Sequence, residues 1–197
     1  MRLLLMILTP LVLYGLSKNA VARGDEPREK TMTDAKGVVY LIDGVGGFGF
    51  GPKVMESSLT ETGVPHELRV FYWSHGFGRW HADLTDDKNL HRKGSELADL
   101  IMGFRVRSAG RPIFLVAKSG GTAVALAALT ELPANSVERV ILLSAAVSPS
   151  YDLVPALRDV RNDIVAFWSP KDKFVLGFGK SVFGTADGVM GESAGLV

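Results

Sequence analysis

The residues best placed to do chemistry gather around one serine. Ala117-Lys118-Ser119-Gly120-Gly121 closes an apolar run, Ile113 to Ala117, and opens a small-residue segment, Gly120 to Leu132. A sharp strand-to-helix turn lifts a serine hydroxyl above a sheet edge, where it can act as a nucleophile. Such a turn crowds the positions two before and two after the serine, and these are Ala117 and Gly121. The Gly120 N–H, at the start of the following helix, is then free to face an oxyanion. The chemistry would be acyl transfer: the Ser119 hydroxyl attacks an ester carbonyl, two backbone N–H groups hold the oxyanion, and water releases the acid. The competing reading is an ordinary serine in a tight connection.

The elements that would position this serine are legible as patterns. Val38–Ile42, Leu68–Trp73, Ile113–Ala117, Arg139–Leu143 and Asp163–Trp168 are apolar, β-rich runs and predict strands. Pro52 to Thr62 predicts a short helix. Leu90, Leu97, Leu100, Ile101 and Phe104 fall at helical spacing, with Asp86 or Asp87 as the cap. Gly120 to Leu132 is small or apolar nearly all round, which predicts a buried helix. Continuously apolar strands alternating with helices predict an α/β fold, a mostly parallel sheet with helices on both faces.

With those elements in place, Ala117-Lys118-Ser119-Gly120-Gly121 resembles the nucleophile elbow of the α/β-hydrolase superfamily, the esterase- and lipase-like serine hydrolases. Alanine stands where the first glycine of G-x-S-x-G usually stands. The resemblance spans roughly Gly37 to Val175. It implies that Asp43-Gly44-Val45-Gly46-Gly47 is the oxyanion loop, with aspartate in place of the usual histidine and Val45 N–H as second donor beside Gly120 N–H. It implies Asp172 as the acid, with Asp152 as substitute. It also implies a histidine after the acid, one strand further on. All 4 histidines instead precede Ser119. The expectations are therefore a chain short of its last strand and its base, an upstream base at His75 or His81, or a non-catalytic relative of the fold. On the first, these 197 residues alone should have little esterase activity.

Other readings compete at the same residues. Gly44, Gly46 and Gly49 spell the G-x-G-x-x-G of a dinucleotide-binding Rossmann turn, but Tyr72-Trp73-Ser74-His75 supplies no acid for a ribose. His75, His81 and Asp83 are weakly compatible with a metal site. Neither a cofactor nor a metal is expected. Phe48, Phe50, Trp73, Phe77 and Trp80 fall in loops expected at a pocket mouth and favour a small ester with an apolar acyl or alcohol group.

Composition sets outer limits. Of the 197 residues, 47% are hydrophobic and 22% charged, as in a globular protein, and a net charge of +1 gives no electrostatic case for nucleic acid. With no cysteine there is neither a disulfide nor a thiol nucleophile. Arg2, an apolar stretch from Leu3 to Leu16, and Ala20-Val21-Ala22 predict a signal peptide at 1–22 and an exported protein. Membrane association is expected only if that segment stays uncleaved. Residues 23–36 predict a flexible arm, and 37–197 a single hydrolase-like domain.

Overall fold

The structure, a computed structural model, describes residues 36–168. The predicted leader, nearly all of the arm, and Asp172 lie outside them. Five strands form one parallel sheet: β1 (Val38–Ile42), β2 (Glu67–Phe71), β3 (Ile113–Lys118), β4 (Arg139–Leu143) and β5 (Ile164–Phe167). Their order is β2-β1-β3-β4-β5. The helices are α1 (Phe50–Glu61), α2 (Trp80–Thr85), α3 (Asp87–Arg107), α4 (Gly121–Leu129) and the single turn α5 (Val154–Leu157). Among the described residues no helix is long and apolar enough to cross a membrane.

Period-two alternation divides the core between the sheet's faces. Val38, Tyr40 and Ile42 of β1 join Ile113, Leu115 and Ala117 of β3 in the larger cluster, against α3 and α4. Val39 and Leu41, with Val116, form the smaller cluster against Met55 and Leu59 of α1. All five residues of β1 are buried, because the strand is central and covered on both sides. The expected α/β fold with helices on both faces is what the chain forms.

The helices follow the same logic. Every residue of α4 is buried, as its run of alanines and leucines requires. Gly94 of α3 meets it where a Cβ would lie 2.9 Å from Ala127 Cβ, so the two helices approach closely. The buried stripe of α3 is Leu90, Leu97, Ala98, Ile101 and Phe104. Leu100, expected on that stripe, is exposed, because it falls at the stripe's edge. Asp86 caps α3 by accepting the Asn89 N–H at 3.0 Å.

From β1 the chain steps outward to β2, then crosses back past β1 to β3 and continues to β5. The switch of direction lies between β1 and β3. The connections leaving their carboxyl ends part to opposite faces there and leave a crevice, where open α/β sheets place their sites.

Candidate active site

Ser119 stands at this crevice, one residue past the end of β3 and two before α4. Its φ is 50°, in the left-handed region that a residue with a side chain rarely adopts. Three bonds hold it there. Its N–H donates to Leu143 O of β4 at 2.9 Å, and its carbonyl accepts the Thr122 N–H at 2.9 Å and the Thr122 hydroxyl at 2.6 Å. The same hydroxyl oxygen accepts the Ala146 N–H at 3.2 Å, which ties the loop after β4 to the turn.

Absent side chains let this turn meet the loop after β1. A Cβ on Gly121 would lie 2.1 Å from the Asp43 carbonyl oxygen, and one on Gly120 would lie 2.6 Å from Val45 Cγ1. A Cβ on Gly44 would lie 3.2 Å from Ser119 Cβ and 3.7 Å from its Oγ. The structure thus brings together Ser119, Gly120 and Val45. Among the described residues no bond occupies the N–H of Val45 or Gly120.

Two carboxylates shape the glycine loop. Asp43 folds back to accept the N–H of Gly44 at 2.8 Å and of Gly49 at 3.2 Å. Asp83, its side chain wholly buried, accepts the Gly46 N–H at 2.6 Å. Asp83 also takes the Ser74 hydroxyl and the His75 N–H, each at 2.7 Å, and faces His75 Nδ1 at 2.9 Å. Burial alone would push its carboxyl up, but these N–H and O–H donors outweigh burial and hold it below the usual carboxylate range. Asp86 is held low by the Asn89 N–H and then by His75.

Among the described residues no hydrogen bond joins His75, His81 or Asp152 to Ser119. His75 spans two acids, Nδ1 on Asp83 and Nε2 on Asp86 at 3.1 Å, so neither ring nitrogen is left to serve Ser119 as a base. His81 is exposed on α2, edge-on to Trp80. Asp152, the substitute acid, is exposed and accepts the Val154 N–H at 2.9 Å, which starts α5. Among the described residues no three His, Asp or Glu side chains are grouped to hold a metal ion. Asp43 counts against a dinucleotide phosphate as well. Its charge already occupies the loop N–H groups that a phosphate would need.

Of the five aromatic residues expected at a pocket mouth, four are exposed: Phe48, Phe50, Phe77 and Trp80. Phe48 and Phe77 meet edge to face at 5.4 Å. Trp73 is buried instead and donates its Nε1–H to Asp43 O at 2.8 Å, bracing the loop from below. Exposed Tyr72 takes its place on the surface because strand β2 ends at Phe71. Beside the glycine loop lies a cavity of about 190 Å³, lined in part by Gly44, Gly47, Tyr72 and Ser74. A larger one, about 620 Å³, opens at the opposite end of the sheet among His66, Arg105, Arg111 and Arg161. The smaller is the one at the carboxyl end of the strands, where the strained serine stands.

Neither protein-family models nor curated protein sequences give a match to the chain. Solved structures do resemble it. An acetylxylan esterase is 12% identical over 70% of this chain and 84% of its own, with a TM-score of 0.49. A Trichoderma reesei cutinase in complex with a phosphonate inhibitor is 16% identical over 91% and 78%, at 0.48. Esterase PE8 is 14% identical over 77% and 94%, at 0.46. Identities and scores this low leave the chemistry to this chain's own residues.

Proposed function

We propose that the protein is a serine hydrolase of carboxylic esters, with Ser119 as nucleophile. The observation that carries this reading is the φ of 50° at Ser119, at the sheet's switch point and against Gly44. Backbone strain held by bonds on both sides is costly and gathers at functional sites. In the proposed step Ser119 Oγ adds to the ester carbonyl carbon. The carbonyl oxygen becomes an oxyanion between the N–H groups of Val45 and Gly120, the second reinforced by the N-terminus of α4. The proton lost from the Ser119 hydroxyl goes to the alkoxide, which leaves as the alcohol, and water then adds to the acyl carbon, releasing the carboxylic acid and returning a proton to Ser119 Oγ. Asp172 is the proposed acid. None of the four histidines is bonded to Ser119 among the described residues, so the reading assigns a nucleophile and oxyanion donors and leaves the base unassigned. The exposed Phe48 and Phe50, on either side of Gly49 in the loop that lines the 190 Å³ cavity, support an ester with an apolar acyl or alcohol group. Hydrolysis of p-nitrophenyl esters of increasing chain length, by protein expressed from the complete gene, tests the reading. Turnover should disappear with Ser119→Ala, and turnover that survives this substitution would rule it out.

A further inference from the structure

The cluster around His75 has no part in the proposed bond-making, yet it is built as tightly as the turn at Ser119. All four acceptor directions of the buried Asp83 carboxylate are used, by Gly46 N–H, Ser74 O–H, His75 N–H and His75 Nδ1. His75 continues to Asp86 through Nε2, and Asp86 holds the first turn of α3. Asn89 of that turn donates to Trp73 O at 3.1 Å, and Trp73 donates to Asp43 O. The chain of bonds starts at one side of Val45 and returns to the other.

That placement bears on the Val45 N–H. The peptide before it is fixed by Asp43, which takes Gly44 N–H, and the peptide after it by Asp83, which takes Gly46 N–H. The next carbonyl, Gly46 O, accepts Gly78 N–H at 2.8 Å. Gly46 lies at φ 88°, so without a partner the loop has other conformations open to it. We propose that Asp83 is a positioning residue for this site: its buried carboxylate, braced by His75 and Asp86, sets the direction of the Val45 N–H toward the oxyanion. This rests on the serine-hydrolase reading. A donor aimed in advance stabilises charge that develops only in the transition state, so losing the aim lowers kcat and leaves ground-state binding alone.

The test is Asp83→Asn, which keeps the shape but turns one acceptor oxygen into a donor. Turnover of p-nitrophenyl butyrate by protein expressed from the complete gene is read as kcat and KM separately, with cooperative thermal unfolding as the check on folding. The expected result is a fall in kcat on the order of 100-fold with KM within about threefold, the pattern of a lost oxyanion donor. Asp99→Asn, exposed on α3, should leave both unchanged. If Asp83→Asn does not fold, His75→Gln, which removes the brace to Asp86, should lower kcat roughly three- to tenfold in the same pattern. Unchanged kcat, or a rise in KM alone, overturns the proposal while Ser119 stands. Wild-type turnover that Ser119→Ala does not abolish, or no wild-type turnover at all, overturns the hydrolase reading and this proposal with it.

Discussion

Gly121→Ala sets two physical effects of opposite sign against each other. Alanine is the better helix former by roughly 1 kcal/mol, and Gly121 opens α4, so propensity alone predicts stabilisation. The structure predicts the reverse. The new Cβ would lie 2.1 Å from Asp43 O and 2.8 Å from Ile42 Cγ2, where ordinary contact begins at 3.4 Å. Relief requires the loop and helix to part by more than an ångström. Asp43 O is also the acceptor of the Trp73 indole N–H, so it cannot move away without loosening that bond. Overpacking of this kind costs about 1–3 kcal/mol, and a weakened hydrogen bond adds about 1 kcal/mol. After the propensity gain the net loss is roughly 1–3 kcal/mol. At about 2–4 °C per kcal/mol for a domain of this size, Tm should fall by roughly 2–12 °C in differential scanning calorimetry. An unchanged or raised Tm would refute the close contact between α4 and the loop after β1, and with it the geometry assigned to Ser119.

The pH dependence has a defined sign. Because the folded state holds the Asp83 carboxyl low, the stability it adds is complete above the unfolded value, about 3.9, and is lost as pH falls through the lower folded value. Urea midpoints between pH 6 and 2.5 should therefore drop steeply below about pH 4, and Asp83→Asn should flatten that drop; parallel curves would contradict it. Trp73→Phe keeps most of the packing but removes the indole donor to Asp43 O, and should cost about 1–3 kcal/mol by chemical denaturation.

Elements carried by a continuous local pattern were legible in the sequence. The strands at Val38–Ile42 and Arg139–Leu143 have the boundaries their apolar runs imply, and the other three shift by a residue or two where pairing ends. The turn at Ser119 was legible because crowding there restricts neighbouring residue types. Features that depend on partners distant in the chain were not. Nothing near Gly46 marks its bond to Asp83, 37 residues away, so His75 and Asp83 read as a candidate base and a metal ligand, and only the fold joins them to each other and to the glycine loop. Trp73 read as a mouth residue because aromatic rings suit both a rim and a core, and only the end of β2 at Phe71 decides which. The strained φ of 51° at Ser144, after β4, has no local signature such as the glycines beside Ser119.

The central claim is that Ser119 is a nucleophile, and covalent trapping tests it most directly. Protein expressed from the complete gene is treated with a fluorophosphonate, digested, and its peptides mapped by mass spectrometry. One phosphonyl adduct is expected, on the peptide carrying Ser119, and none on Ser119→Ala protein that unfolds at the wild-type temperature. An adduct on another residue, or an unlabelled Ser119 in folded wild-type protein, would contradict the account.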